Sequence, residues 1–401
     1  MRSSPAPAVL SLLWLLGGVV ACDTAGGDAA EPADTDVLDT GGPQGWTWDL
    51  PPGFPPPAVP DDNRMSRAKA ELGRHLFYDE RLSFNETMAC ASCHLPEHGF
   101  AFPAPLPTGA TGVHTPRSAP GLQNAAYYAT FTWANPTLLD LESQLLIPMF
   151  GEFPIELGIT GHEDEVLGRL RADDALRTRF ERAFPDADGP MAFDHIVKAL
   201  ATFVRSMVSW RSPYDRYVYY GDDDAMSADA LRGMDHFFSE TFECHHCHGG
   251  YHLSRSVRSA ASTHYELAFD NTGLYDLDGL GSYPPDNPGL FEFSSDPADM
   301  GRFRPPSLRN VALTAPYAHD GSIESLREVL QVYADAGRVI EEGPYAGDGR
   351  TNPHKSGFVI GFDASEQQID ELMAFLESLT DEAFLTDPRF ADPADEGPQD
   401  D

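Results

Sequence analysis

The sequence predicts a mainly α-helical protein whose helices wrap bulky groups and are joined by long irregular loops. Three observations carry that prediction. Apolar residues recur at helical spacing in several separate stretches. Neither a run of strand-like alternation nor a repeat of fixed period is found. Loops longer than about 15 residues lie between the helices, which a bare bundle does not need but a chain folded around something large does. Apolar residues make up 41% of the 401, enough for a real core. The formal charge of −36, from 63 acidic and 27 basic side chains, excludes a nucleic-acid binder, because phosphate contact needs a basic face.

Taken in order, residues 1–21 (MRSSPAPAVLSLLWLLGGVVA) form an apolar run too short for a bilayer span but suited to a signal peptide. The run ends at Val19-Val20-Ala21-Cys22, which resembles a lipoprotein lipobox, so the mature chain is expected to begin at a lipidated Cys22 in the periplasm. An ordinary signal peptide with an incidental cysteine is the alternative. Residues 22–62 are rich in Asp, Gly and Pro and cannot bury enough apolar area to order themselves, so they read as a tether. Trp46, Trp48 and Phe54 mark where that tether first meets the body. Ala68, Leu72 and Leu76 then share one face of a helix. Further helices are expected over 163–184, 191–209, 227–239 after a Ser227 cap, 322–335, and 365–379, where Ser365 and Gln368 have capping-box spacing. Loops cover 100–124, 250–300 and 338–364, and 387–401 reads as an acidic tail. No later segment is long and apolar enough to span a membrane, so contact with one is expected only through the anchor.

The chemistry is concentrated in two five-residue motifs. Cys90-Ala91-Ser92-Cys93-His94 and Cys244-His245-His246-Cys247-His248 are both C-x-x-C-H, the pattern of covalent c-type haem attachment. Two thiols about one helical turn apart can add to the two vinyl groups of one porphyrin, and the adjacent His then faces the iron. A four-cysteine zinc site does not need a His after each pair, and its pairs usually lie about 15–20 residues apart. Here 151 residues separate Cys93 from Cys244. A redox dithiol leaves both histidines unexplained. Two cytochrome-c-like domains are therefore expected, 63–212 and 213–386, each wrapped around one covalent haem c.

The surrounding residues resemble the bacterial di-haem cytochrome c peroxidase/MauG superfamily. The likeness runs from about Val59 to Thr386. It includes Leu72-Gly73-Arg74-His75-Leu76-Phe77-Tyr78-Asp79, then Arg81-Leu82-Ser83, then the first C-x-x-C-H. In the second half it includes Pro305-Pro306-Ser307-Leu308-Arg309-Asn310 and Tyr317-Ala318-His319-Asp320-Gly321. Phe131-Thr132-Trp133-Ala134-Asn135-Pro136, Leu141-Glu142-Ser143-Gln144 and Pro148-Met149-Phe150-Gly151-Glu152 most resemble the MbnH branch, whose members oxidise a tryptophan of a partner protein, MbnP, to kynurenine.

The resemblance implies roles residue by residue. His94 would be proximal on a peroxide-reactive first haem, with Gln144 and Pro148 on its open side and Glu156 as acid/base, since O–O heterolysis needs a proton moved between the oxygens. Two more residues separate Pro148 from Glu156 than in the family pattern; a solvated carboxylate is the plain alternative. Closed-state members donate a second His to this haem from a loop; His98 and His114 are nearby, and His114 reads as an access-loop residue. Trp133 would be a stepping stone between the haems, where the plain alternative is a packed aromatic. His248 would hold the second iron. The far ligand in ordinary peroxidases of the family is a Met fourteen residues after the His of Y-x-H-D-G, and that position from His319 is Tyr333, as in MauG-like members. A thioether raises a haem potential, whereas a hard phenolate favours higher oxidation states; inward helix packing is the alternative role for Tyr333. A calcium ion is implied between the haems, on the backbone oxygens of Thr314 and Pro316, with Ser118 where the family has Asn.

The resulting expectation is an exported di-haem oxidoreductase that uses hydrogen peroxide to form a high-valent di-haem state and oxidises a secreted or periplasmic, MbnP-like partner. The rivals are a cytochrome c peroxidase fed by a small cytochrome and a non-catalytic electron-transfer module.

Overall fold

The computed structural model describes residues 45–395. The expected signal peptide, lipobox and first half of the tether, and the end of the acidic tail, lie outside the described residues. Among those described, no helix is long and apolar enough to cross a membrane.

The chain is mainly helical. In order the helices are α1 (Arg67–Phe77), α2 (Leu141–Phe150), α3 (Glu163–Arg171), α4 (Asp174–Ala183), α5 (Phe193–Ser206), α6 (Pro213–Tyr220), α7 (Ala228–Phe237), α8 (His245–His248), α9 (Phe291–Ser294), α10 (Leu326–Ala334), α11 (Glu366–Glu377) and α12 (Glu382–Leu385). A two-residue antiparallel hairpin, β1 (Val339–Ile340) with β2 (Gly347–Asp348), pairs Val339 with Asp348 and Ile340 with Gly347. The long helix expected over 163–184 is two helices. Asp173 interrupts it by accepting a bond from the Leu176 N–H at 3.0 Å, which caps α4. Ser227 caps α7, and Ser325–Glu328 and Ser365–Gln368 form capping boxes on α10 and α11.

The two halves repeat one arrangement. In the first, α1 crosses α5 at Gly73, where a Cβ would stand 2.1 Å from the Ala199 carbonyl oxygen. In the second, α7 crosses α11 at Gly233, where a Cβ would stand 1.8 Å from the Glu371 carbonyl oxygen. Only a residue without a side chain lets the backbones approach this closely. The two helices of each crossing lie on either side of one C-x-x-C-H motif in sequence, and each crossing is tied to an Asn in the left-handed region: Asn124 (φ 58°) donates its N–H to the Met207 carbonyl, and Asn310 (φ 59°) to that of Leu379. Separate hydrophobic cores follow. Leu72, Leu76, Phe77, Leu200 and Phe203 belong to one, and Phe237, Leu326, Leu372, Phe375 and Leu376 to the other.

The first and last described segments also pack inward, the first in a third cluster with Tyr127, Val208 and Trp210. Phe54 is buried against Tyr127 and Tyr251, with ring centroids 5.6 and 5.0 Å away, while Trp46 stacks edge-on to Trp48. At the other end Phe384 and Phe390 enter the first core, and the Phe390 carbonyl accepts the Tyr78 hydroxyl at 2.6 Å. Phe390 thus anchors the start of the expected acidic tail to the first core, while Pro388 and Arg389 stay exposed.

Candidate functional site

The first motif opens as a 3-10 turn, Cys90–Ser92, directly before His94. The His94 Nδ1 bonds the Phe100 carbonyl at 2.8 Å, which fixes the ring and leaves Nε2 for a ligand. The second motif forms α8. Its His248 is buried, with Nδ1 3.1 Å from the Pro306 carbonyl, so the same nitrogen is again left over. Burial lowers the pKa of both imidazoles and keeps them neutral, as iron ligation requires.

The four cysteines are unpaired. Burial pushes each thiol up to about 12. A redox dithiol needs the opposite shift. Cys90 packs on the first core and Cys244 on the second, and among the described residues no Cys joins a three-ligand metal cluster. The raised thiols speak against a redox dithiol at either motif.

On the far side of the first motif, α2 carries Gln144 and Pro148. The Asp140 carboxylate caps this helix through the Ser143 N–H at 2.7 Å. Glu142 clamps it to α5 by accepting both Arg205 Nη2 contacts at 2.8 Å, and it also accepts Asn63 Nδ2 at 2.6 Å. Pro148, within the last turn, cannot donate to the carbonyl four residues back. The Gln144 Oε1 is buried without a hydrogen-bond partner, a polar atom that an incoming donor would satisfy.

The segment carrying Glu156 returns along α2: Leu157 N–H donates to Pro148 O and Ile159 N–H to Met149 O, both at 2.9 Å. The Glu156 carbonyl accepts Ala110 N–H at 2.8 Å. Burial pushes the Glu156 carboxyl up to about 7, and its charge raises the Cys93 and Cys90 thiols, which places it on the first motif's side. His114 is exposed on the neighbouring 108–114 turn, with Nδ1 3.0 Å from Thr108 Oγ1. His98 closes the short 3-10 turn Pro96–His98, and its backbone N–H donates to Leu95 O at 3.0 Å.

Trp133 lies between the segments that orient the two histidines. Its Nε1–H donates to the Ser118 carbonyl at 2.8 Å, two residues before Pro120, whose backbone also meets His94. Its own carbonyl accepts Arg304 N–H at 2.8 Å, two residues before the Pro306 that holds His248. Tyr333, on α10, is held protonated by burial, and the Cys247 and Cys244 sulfurs lie near enough to add to the effect. Ser118 donates its N–H to His319 O at 2.8 Å and stands near Ala318 O at 3.4 Å, beside the Thr314–Pro316 turn where calcium was expected.

Several residues at the site were not foreseen. Arg255 grips Asp270 through Nη2 at 3.0 and 2.9 Å, and Asp270 Oδ2 meets Cys247 Sγ at 3.5 Å. His252 is buried with neither ring nitrogen bonded, and Arg304 lies 3.6 Å over the Tyr128 ring. His319 stacks on Phe303 at 3.6 Å, and burial pulls its pKa down to about 4. Of these, only His319 stood in a recognisable motif.

The donor set fits a haem at each motif: paired thiols, a neutral imidazole with Nε2 free, and on the far sides an unpartnered amide oxygen in one half and a phenol in the other.

Comparison with known proteins agrees. The family model described as di-haem cytochrome c peroxidase matches residues 67–224. The methylamine utilization protein MauG of Methylorubrum extorquens is 30% identical over 387 residues, 96% of this chain and 98% of that protein. The cytochrome c551 peroxidase of Pseudomonas aeruginosa is 30% identical over 277 residues, 68% of this chain and 73% of that protein. A crystal structure of a MauG-like protein associated with microbial copper homeostasis superposes with a TM-score of 0.85 at 48% identity, covering 87% of this chain and 99% of that one.

Proposed function

The chain belongs to the di-haem cytochrome c peroxidase family, which includes MauG, and on that premise we propose that it uses hydrogen peroxide to oxidise a partner protein, at a tryptophan, rather than to drain electrons from a small cytochrome. The observation that carries this reading is Tyr333, buried within electrostatic reach of Cys244 and Cys247, at the position where a peroxidase of ordinary type would offer a thioether. The 48% identity to a MauG-like protein supports the same side of the choice.

Two covalent haems c, held by Cys90, Cys93 and His94 and by Cys244, Cys247 and His248, supply when bound the iron chemistry that splits peroxide and stores its oxidising power. The protein's part is positional. Gln144 offers its unpartnered Oε1 to a peroxide O–H, and Pro148 walls the pocket with apolar surface. Glu156, poised near neutrality, takes the proton from one peroxide oxygen and returns it to the other, which leaves as water. Trp133 links the backbone segments beside both histidines and serves as the electron relay between the halves. A folded partner cannot enter the first pocket, so its electrons leave through the protein one at a time. Calcium on the Thr314 and Pro316 carbonyls, a periplasmic location and a lipid anchor at Cys22 complete the proposal.

The test is the potential and spectrum of the second haem. A His/Tyr centre has a low potential, which Tyr333→Met raises. A wild-type spectrum of His/Met type would hand the function to the small-cytochrome peroxidase.

A further inference from the structure

The second attachment motif differs from the first in what fills the two positions between its cysteines: Ala91 and Ser92 in one, His245 and His246 in the other. At 100° per residue the α8 turn groups Cys244, Cys247 and His248 on one side and points residues 245 and 246 to the other. The two imidazoles therefore face away from the porphyrin side and need another explanation.

They converge on one carboxylate. His245 Nε2 lies 3.5 Å from Glu240 Oε1, and His246 Nε2 lies 3.3 Å from Glu240 Oε2. One ligand atom from each of the three residues lies within 4.8 Å of the other two. At 3.3–3.5 Å these contacts are at most long, weak hydrogen bonds, the usual N–H···O range ending near ~3.2 Å. They match the ~3.3 Å between ligands on a tetrahedral zinc ion with bonds of about 2.0–2.1 Å. Glu243 Oε2 is 2.8 Å from His246 Nε2, an ordinary hydrogen bond that an incoming ion would replace with a second carboxylate ligand. The His245 Nδ1 is buried without a partner, which makes Nε2 the nitrogen offered outward. His246 is braced by stacking on Phe358, 4.3 Å away at 14°. Glu240 is 79% exposed, so an ion can reach the cluster from solvent.

We infer that Glu240, His245 and His246, with Glu243 beside them, form a surface site for a divalent first-row transition ion of the zinc or copper class on the back of the second attachment motif. Imidazole and carboxylate donors suit these ions, and the paired nitrogens disfavour calcium and magnesium, which want oxygen. The site is separate from the pocket assigned to peroxide and from Trp133.

The test uses tag-free, chelator-treated holoprotein titrated calorimetrically with Zn²⁺ in excess Ca²⁺. One ion should bind with a Kd of about 1 μM or tighter. Glu240→Gln, which lies outside the attachment motif, and His246→Gln, checked by mass for retention of both haems, should each weaken binding by about tenfold or more. No saturable Zn²⁺ uptake, or uptake that Glu240→Gln leaves unchanged, overturns the site.

Discussion

Replacing Glu156 by Gln keeps the shape of the side chain and removes its proton chemistry. Burial lifts this carboxyl from its ordinary 4.5 to about 7. Its folded-state pKa thus lies above the unfolded one, so folding favours the protonated form. The penalty is absent below pH 4.5, grows between 4.5 and 7, and is complete above 7. A shift of this size corresponds to about 3 kcal/mol. Glu156→Gln should therefore match wild type in stability near pH 4 and exceed it by up to about 3 kcal/mol above pH 7, read from thermal melts. Function should move the other way. The base form of Glu156 appears as pH rises through 7, so the stopped-flow rate of the peroxide reaction should climb with a midpoint there. Glu156→Gln should flatten that profile and slow the reaction by roughly 10²–10⁴-fold. A variant that retains the pH-dependent climb, or a wild-type profile flat between pH 5 and 9, refutes the assignment of Glu156 as acid/base.

Trp133→Phe removes the indole bond to Ser118; peroxide consumption at the first centre should be nearly unchanged while partner oxidation slows about tenfold or more, measured side by side. Intact mass after acid–acetone extraction should show two haems retained, and protein matured with one or none would contradict the attachment sites. Gly233→Ala forces a Cβ to within 1.8 Å of the Glu371 carbonyl oxygen and should cost about 1–3 kcal/mol or more by denaturant melting. Gly168→Ala on α3, where nothing lies within 4 Å, should instead stabilise by about 0.5–1 kcal/mol.

The two C-x-x-C-H motifs were legible because their chemistry is local: five consecutive residues bring two thiols and an imidazole together at fixed spacing. Helices with clean periodicity and caps, such as α7 and α11, were legible for the same reason. By contrast, α2 was not assigned as a helix, although it carries Gln144 and Pro148. Its sequence is apolar on most sides and holds a proline, so neither periodicity nor propensity marks it. Two like domains were expected from the two motifs, but the matching turns Leu122-Gln123-Asn124 and Leu308-Arg309-Asn310, which tie each helix crossing, were not read from the sequence. The long stretch between His248 and Asn310 breaks any fixed period. Arg255–Asp270, His252 and Arg304 act through contacts that join distant segments, which a linear reading cannot pair. The setting of Trp133 between Ser118 and Arg304 is of the same kind; the family likeness named the residue, and the fold supplied its neighbours.

The most direct test of the central claim is to incubate the holoprotein with hydrogen peroxide and a candidate secreted partner protein, and to map oxygen addition by peptide mass spectrometry. The account predicts oxygen on a partner tryptophan, dependent on peroxide and sharply reduced in Trp133→Phe. An unmodified partner, together with rapid peroxide turnover supported by a reduced small cytochrome, would contradict it.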